Sequence, residues 1–483
     1  MIKQISEYKF YRWRYLLGYC LISISLGLLL LLSILYSPAG VTNVEIETLL
    51  NTSLLSFNDM NPSYVINLPF SLLQVLSIKI FGITSIGIKL PSLLIGVLSM
   101  IAILALVSMW YRRNVALITA LIVISTGQLL YMMQSGTADI LYVFYPVWIL
   151  LAASIISRGA KYLTIWKIII FILAALSLYT PISIYLLITS LIILALHPHL
   201  RYVAKRLSRS RLTGAAIVAI ILIAPLFYAL YKQPSIALIL LGVPSNWPIL
   251  NDTLMMIIKQ YIDFGSSQSG TIMTPIYGMG ILSIIIIGLY DLYKNRHSAR
   301  SYLVAGWLII LIPLVAINPN YIAILFLPSV ILIAMGIYKI LNYWYSLFPK
   351  NPYARVVGLI PITALIIGLT FSGVDRYIYG YRHSPNIAIN FSQDIDLLNK
   401  LINNNDGLII IVTADEKSLY DLIANNNDNI SIVVGNIPTS DTTVVITNAA
   451  KKNTNTSIPL NSIITDSKSS NSDRFYVYKN VSK

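Results

Sequence analysis

Two glutamates early in the chain are the first residues whose placement suggests chemistry. Glu45 and Glu47 lie in residues 37–61, just after the first long apolar segment, in a chain of 483 residues with only 19 acids. Residues two apart on a helix do not share a face, so we expect only one of the two to point inward. A carboxylate held in that way can serve as a general base. The alternative is that both are ordinary acids at a helix start, where the helix dipole favours negative charge.

A third carboxylate, Asp139, interrupts an otherwise apolar region. It stands in the segment QSGTADILYVF, between two apolar runs. A charged group at the edge of an apolar segment is costly unless it is paired or hydrated, and such residues commonly mark functional sites. We interpret Asp139 as the partner of the two glutamates. A capping role at the start of the following helix is the alternative, and the two roles are compatible.

The composition is that of a membrane protein. Hydrophobic residues make up 57% of the chain, charged residues make up 11%, and the mean hydropathy is +0.74. The formal net charge is +15, but the basic residues fall in short clusters between apolar runs. This arrangement is typical of membrane topology rather than of nucleic-acid binding. We therefore predict that the chain contacts a lipid bilayer and binds no nucleic acid.

The apolar runs predict a polytopic α-helical membrane protein with about eleven transmembrane helices. Lys3, Lys9, Arg12 and Arg14 precede the first run and predict a cytoplasmic N-terminus. If the spans alternate in direction, most basic residues fall on the cytoplasmic side and most acids on the outer side. The chain has no set of cysteines that could form disulfides, which favours the plasma membrane of a prokaryote. The predicted spans lie near residues 15–36, 87–110, 115–134, 140–157, 163–179, 182–196, 212–230, 274–290, 302–317, 321–338 and 356–373.

The chain divides into a membrane domain and a smaller C-terminal domain. Residues 1–375 form the membrane domain, with a first external loop at 37–86 and a second long external loop at 231–274. Residues 376–389 are predicted to be a linker. Residues 390–483 are polar, and short β-branched runs alternate there with a helical pattern. This alternation predicts a small soluble α/β domain, which the parity of the spans places outside the cytoplasm.

Several segments together resemble the GT-C glycosyltransferase superfamily, in particular the branch of protein O-mannosyltransferases and lipid A aminoarabinose transferases. That family has an acidic pair in its first external loop, where this chain reads NVEIE at 43–47. Its proline-containing amphipathic segment and its G-x-(S/T)-x-x-x-x-R-L-P-S segment are similar to residues 67–70 and 82–92, with Lys89 in place of the arginine. Residues 135–139 match its isolated aspartate. Residues 320–321 match its R-Y pair without the arginine, and no aspartate stands beside Glu45.

The resemblance implies a glycosyltransferase of the cell envelope that uses a polyprenyl-phosphate-linked sugar as donor. The acceptor would be a protein, a glycan or a lipid at the outer face of the membrane. Glu45 would take the role of general base, with Glu47 beside it. Asp139 would position that base, contact the acceptor or, together with Glu45, ligate a divalent cation. The cations available for the donor phosphate are Lys89, Lys232, Lys259 and Arg376.

Two other classes of protein compete with this interpretation. A lipid-sugar flippase or transporter would be expected to show internal repeats and broken helices in matching positions, and no convincing repeat is found in the sequence. A non-catalytic membrane scaffold that displays the C-terminal domain is the third possibility. A bound polyprenyl lipid would favour transferase or flippase over scaffold, and turnover would separate those two.

Overall fold

The computed structural model describes residues 13, 16–25, 27–28, 40–53, 62–159, 163–205, 209–262, 276–347, 352–383, 390–392, 394–404, 407–424, 430–435, 443–454, 458–465 and 473–479. Residues 15, 26 and 29–36 of the first predicted span lie outside these residues, as do 263–275 of the second long loop and 384–389 of the predicted linker.

Helices dominate the first four-fifths of the chain. Short 3-10 helices lie at Pro62–Val65, Ala138–Ile140 and Pro319–Leu325. The helices are α1 (Leu16–Ser25), α2 (Asn43–Ser53), α3 (Leu68–Phe81), α4 (Ser85–Trp110), α5 (Arg113–Ile124), α6 (Gly127–Gln134), α7 (Leu141–Ser157), α8 (Leu163–Ser177), α9 (Ser183–Leu196), α10 (Pro198–Lys205), α11 (Arg209–Lys232), α12 (Ser235–Leu240), α13 (Leu250–Ile262), α14 (Met279–Lys294), α15 (Ala299–Ile317), α16 (Phe326–Leu347), α17 (Pro352–His383), α18 (Asp394–Asn404), α19 (Lys417–Ala424) and α20 (Asn448–Lys451).

Fewer helices are long enough to span a bilayer than the sequence predicts. Within the described residues, five are long and apolar enough, and two bent pairs raise the number to seven. A span requires about 20 apolar residues, so α8, with 15 residues, is short. The predicted span at 115–134 is one of the bent pairs, because α5 and α6 meet at 65°. Five to seven such helices are still enough to make the chain a multi-pass helical membrane protein, as predicted.

One helix lies at the centre of the bundle. The segment Pro319–Leu347, which contains α16, has 89% of its most apolar window buried. Its side chains belong to a continuous apolar core that includes residues of α4 to α7, α14 and α15. A helix that is apolar on all sides is expected at the interior of a bundle. The amphipathic α3 and α13 lie instead at the periphery, where Leu76 and Met255 are exposed.

The C-terminal region forms a five-stranded mixed sheet. The strands are β1 (Leu408–Val412), β2 (Ile430–Val434), β3 (Thr443–Thr447), β4 (Leu460–Thr465) and β5 (Asp473–Tyr478), in the order β2-β1-β3-β5-β4. Strands β2, β1 and β3 are parallel, whereas β5 runs antiparallel to both β3 and β4. The sequence predicts all of these strands except β4, whose side chains are mostly exposed.

The sheet region shares a core with the first loop. Leu49 of α2 and Ile88 of α4 pack in the same buried cluster as Ile395 and Leu398 of α18. Val41 and Ser392 form an antiparallel bridge, with N–O distances of 2.7 and 2.9 Å. Helix α17 continues to His383, into the stretch predicted as a linker, because no proline interrupts residues 362–383.

The two ends of the bundle differ in charge. At the basic end, Arg158 and Arg300 donate hydrogen bonds to the last carbonyls of α4, those of Met109 and Trp110. At the opposite end of α4, which we call the domain end, Ser85 is bound to Asp396 of the C-terminal region. Helix α4 has 26 residues. At about 1.5 Å per residue it separates the two ends by about 39 Å.

Candidate active site

Glu45 begins the site by capping α2. Its backbone N–H donates to Thr42 Oγ1 at 3.2 Å, and Thr42 N–H donates to Glu45 Oε2 at 2.6 Å. These reciprocal bonds form a capping box, which satisfies two backbone donors at the helix start. The side chain of Glu45 is 1% exposed, and Glu47 is exposed. Only one of the two acids thus points inward, as their spacing predicts.

The second oxygen of Glu45 reaches a loop far along the chain. Gly136 N–H donates to Glu45 Oε1 at 2.5 Å. A side chain at position 136 would place its Cβ 2.5 Å from Ile88 Cγ2, so glycine is required for this approach. Lys89 Nζ lies 3.9 Å from Glu45 Oε1 and donates to the Gly40 carbonyl at 2.6 Å. The Glu45 carboxylate therefore joins the first loop to residues 135–139.

Gln74 of α3 holds the same loop from another side. Its Nε2 donates to the carbonyls of Ile88 and Gly136, each at 3.2 Å, and its Oε1 accepts from Thr52 Oγ1 at 2.8 Å. Ser92 Oγ donates to the Thr137 carbonyl at 3.2 Å. Gln74 is fully buried, and buried polar networks of this kind fix one geometry when every member is satisfied. Sequence reasoning missed Gln74, although it is a single amide within the apolar run FSLLQVLS.

Asp139 follows this loop at the 3-10 turn that precedes α7. Its Oδ2 accepts a hydrogen bond from Thr137 Oγ1 at 3.1 Å, and Thr137 Oγ1 lies 2.9 Å from Ser135 Oγ. Asp139 interacts electrostatically with Tyr142 and Tyr321, whose ring centroids are 6.3 Å apart. None of the ion pairs found among the described residues involves Asp139. Its carboxylate thus accepts a hydrogen bond from one hydroxyl group and lies near enough to two tyrosines to interact with them electrostatically.

Two neighbouring turns carry backbone strain. Asn67 has φ 56° and Ile182 has φ 52°, and both are in the left-handed region. For a β-branched residue such as Ile182 this conformation is a true outlier, costing about 1–2 kcal/mol. The strained turns are tied to neighbours, because Asn67 N–H donates to the Tyr179 carbonyl at 2.8 Å and Ile182 N–H to the Leu240 carbonyl at 2.7 Å. Strain of this kind persists where surrounding structure enforces it and is concentrated at functional sites.

The strained turns lie close to Tyr321, which interacts electrostatically with Asp139. Gly242, at φ 76°, packs against Ile182 and lies beside the ring of Tyr321. Asn318 Nδ2 donates to the Gly242 carbonyl at 3.3 Å. Within the described residues, the buried oxygens Asn67 Oδ1 and Thr180 Oγ1 have no hydrogen-bond partner. Buried polar atoms are normally satisfied, and these two oxygens lie next to the strained turns at the domain end. Sequence reasoning missed these residues, because backbone strain leaves no hydropathy signal.

The predicted phosphate-binding cations are spread over the molecule. Lys89 lies beside the loop 135–139 but already contacts Gly40 and Glu45. Lys232 and Lys259 are exposed, and no described contact connects either of them to Asp139. Arg376 is half-buried in α17, next to Gly278 and to Tyr377, whose hydroxyl donates to Gln134 Oε1 at 2.7 Å. The structure therefore brings Glu45, Lys89 and Asp139 around one loop.

The carboxylates do not fit a divalent cation jointly. The oxygens of Glu45 accept hydrogen bonds from Thr42 and Gly136, and the Lys89 ammonium lies beside one of them. A metal ion would have to displace these donors and sit next to a positive charge. Among the described residues, no group of three or more His, Cys, Asp or Glu side chains could hold a metal. We derive no step through a metal ion.

Comparison with known proteins finds a matching family model and solved structures that share the fold of this chain. Residues 68–228, which include Lys89 and Asp139, match the family model described as dolichyl-phosphate-mannose-protein mannosyltransferase. No curated protein sequence matches the chain. ArnT from Cupriavidus metallidurans bound to undecaprenyl phosphate has a TM-score of 0.57 and 11% identity, over 96% of this chain and 98% of that chain. The same protein in the apo state gives a TM-score of 0.54 and 12% identity over the same shares.

A second protein shares the architecture over part of its length. The apo form of the Archaeoglobus fulgidus oligosaccharyltransferase has a TM-score of 0.52 and 13% identity, over 88% of this chain and 65% of that chain. These similarities define the chain as a multi-pass membrane protein with the fold of GT-C glycosyltransferases. They confirm the resemblance that the sequence motifs predict.

Proposed function

We propose that the chain transfers a sugar from a polyprenyl-phosphate-linked donor to an acceptor at the outer face of the plasma membrane. Support comes from the mannosyltransferase family match over residues 68–228 and from the fold shared with ArnT, whose structure binds undecaprenyl phosphate. The observation that carries the proposal is Asp139, a carboxylate held by one hydroxyl at the domain end, beside strained turns with unsatisfied polar atoms.

Asp139 is the better placed of the candidate bases. It would accept the proton of the acceptor hydroxyl as that oxygen attacks the anomeric carbon of the sugar. The bond between the anomeric carbon and the lipid phosphate oxygen would break, and polyprenyl phosphate would leave. The configuration at that carbon would invert, since the reaction is a single displacement. The hydrogen bond from Thr137 and the neighbouring phenols of Tyr142 and Tyr321 would orient the carboxylate.

Glu45 would position the loop that presents Asp139. Its two oxygens already accept from backbone N–H groups, and a carboxylate that gives up such bonds leaves buried donors unsatisfied. The base role implied for Glu45 by the resemblance stays a prediction, as does the role of Glu47. Lys89, Lys232, Lys259 and Arg376 remain the candidates for the leaving phosphate, where a cation stabilises developing charge.

The orientation in the membrane follows from charge. Basic residues cluster at one end of the bundle and predict a cytoplasmic location for it, because positive residues are retained on that side. The domain end and the C-terminal sheet would then lie outside the cytoplasm. The chain would cross the membrane about eleven times, and several of these spans would be short, bent or outside the described residues.

The test compares Asp139→Asn with Asp415→Asn, an exposed acid of the C-terminal region whose loss should leave the site intact. The probes are undecaprenyl-phosphate and dolichyl-phosphate sugars, and the readout is polyprenyl phosphate released by the purified protein, measured by mass spectrometry. We expect Asp139→Asn to lower release about 100-fold or more, as for loss of a general base. The Asp415→Asn variant should release as much as the wild type.

Two results would contradict the proposal. Release by Asp139→Asn at the wild-type rate would exclude Asp139 as the base. Binding of the donor lipids by the wild type, with neither cleavage nor transfer for any sugar tested, would favour the lipid-sugar flippase. Unchanged thermal unfolding of Asp139→Asn in detergent serves as the control for folding.

A further inference from the structure

The basic end contains a cavity that the proposed chemistry does not use. It has a volume of about 380 Å³ and lies between the start of α5 and the last turns of α16. Its lining is amphipathic, with a guanidinium, two amides and a phenol on the polar side and two aliphatic side chains on the other. The residues are Arg112, Asn114, Val115, Leu341, Asn342 and Tyr345.

Arg112 differs from its basic neighbours in having its charge available. Arg158 and Arg300 are bound to the carbonyls at the end of α4, and Lys339 pairs with Asp291 at 3.6 Å. Arg112 is exposed, and among the described contacts none engages its guanidinium. Among the residues that the structure describes, no acidic side chain lines the cavity. The cavity therefore presents an uncompensated positive charge and attracts an anion.

The surroundings place the cavity at the level of lipid head groups. Aromatic residues surround this end of the bundle, with Tyr111 packed on Tyr338 at a centroid distance of 5.1 Å, and Tyr343 63% exposed. Tyrosine and tryptophan are enriched where a membrane meets water. Val115 and Leu341 form the apolar, buried wall of the cavity, and its polar groups lie on the side where the exposed Arg112 meets the membrane surface.

We propose that this cavity binds the head group of an anionic phospholipid. Basic pockets between transmembrane helices on the side that retains positive charge are a known form of lipid recognition. The Arg112 guanidinium would hold the phosphate through paired N–H bonds, and the Asn114 and Asn342 amides would contact the head-group oxygens. The acyl chains would extend from the mouth of the cavity into the bilayer, because Val115 and Leu341 are themselves buried in the apolar core. The proposal is independent of the transferase activity.

The experiment uses the full chain reconstituted in nanodiscs and released for native mass spectrometry. One set of nanodiscs contains phosphatidylglycerol, a second contains phosphatidylcholine only, and a third contains phosphatidylcholine with added inorganic phosphate. We expect a retained phosphatidylglycerol adduct, little phosphatidylcholine, and no phosphate adduct. Arg112→Gln should lower the retained fraction about fivefold, as for loss of one basic residue at a membrane surface.

Two further variants make the test specific. Arg201→Gln removes the same charge from an exposed residue on α10 that does not line the cavity, and it should retain lipid like the wild type. Asn342→Trp fills the cavity without changing its charge and should also lose the adduct. Equal losses in Arg112→Gln and Arg201→Gln would show diffuse attraction and overturn the proposal. A phosphate adduct that replaces the lipid would overturn it in favour of a free-anion site.

Discussion

The two ends of the bundle use charge in opposite ways. At the basic end, Arg158 and Arg300 close the end of α4 and Lys339 pairs with Asp291, whereas none of the described contacts engages the guanidinium of Arg112. At the domain end, the buried carboxylate of Glu45 accepts from backbone N–H groups of two distant segments. The two left-handed non-glycine residues, Asn67 and Ile182, belong to the domain end. Charged groups at the basic end stabilise the ends of helices, whereas the Glu45 carboxylate at the domain end fixes the conformation of the loop 135–139.

The contrast predicts a large loss of stability from a change at the centre of the domain end. Glu45→Ala would leave the N–H groups of Thr42 and Gly136 without acceptors, at about 1–3 kcal/mol each, and would remove the partner of Lys89. We expect the unfolding free energy to fall by about 3–5 kcal/mol. Thermal unfolding in detergent, followed by tryptophan fluorescence, measures the effect.

The matched control is Glu47→Ala, two residues away on the exposed face, which should change stability by about 0.5 kcal/mol or less. Equal stability of the two variants would show that the buried Glu45 does not stabilise the domain end, and would contradict the difference drawn between the two ends. A stable but inactive Glu45→Ala protein would assign Glu45 a chemical role rather than a positioning one.

An intermediate effect is expected where the C-terminal region meets α4. Asp396 Oδ2 accepts from Ser85 Oγ at 2.6 Å, and its Oδ1 accepts from Ser85 N at 3.2 Å, so it supplements the Thr84 cap. Asp396→Ala should lower the unfolding free energy by about 1–2 kcal/mol. The same thermal assay applies, with Asp415→Ala, an exposed acid of the same sheet region, as control. If the two variants unfold alike, this contact does not help to hold the site.

The smallest effect is expected at the basic end. Lys339 is 31% exposed and Asp291 8%, and Asp291 keeps a hydrogen bond from Asn295 when the lysine is replaced. Lys339→Gln should therefore cost about 0–1 kcal/mol. Salt should change the difference little, because Asp291 is buried and partly buried ion pairs are screened much less than exposed ones. A loss as large as that of Glu45→Ala would remove the distinction between the two ends.

Sequence reasoning succeeded where periodicity and charge carry the information. The helical runs, the strands β1 to β3 and β5, and the expectation that only one of Glu45 and Glu47 points inward follow from the sequence pattern. The bend between α5 and α6 did not, because hydropathy records how apolar a run is and not its direction. Strand β4 is an irregular edge strand without the alternation of a half-buried strand. The strain at Ile182 depends on Leu240 and Gly242, which lie some sixty residues away in sequence.

The bridge between Val41 and Ser392 has a consequence for biosynthesis. A ribosome adds about 5–20 residues per second, so the first loop would wait on the order of tens of seconds for the residues that complete its core. During that interval Leu49 and Ile88 lack the partners they later share with Ile395 and Leu398. Ser85 and Asp396 are 311 positions apart, so their contact forms among the last. We therefore expect the contact between the first loop and the C-terminal region to be the part of the protein that most needs chaperones during synthesis. We also expect it to be the part most sensitive to truncation near the C-terminus.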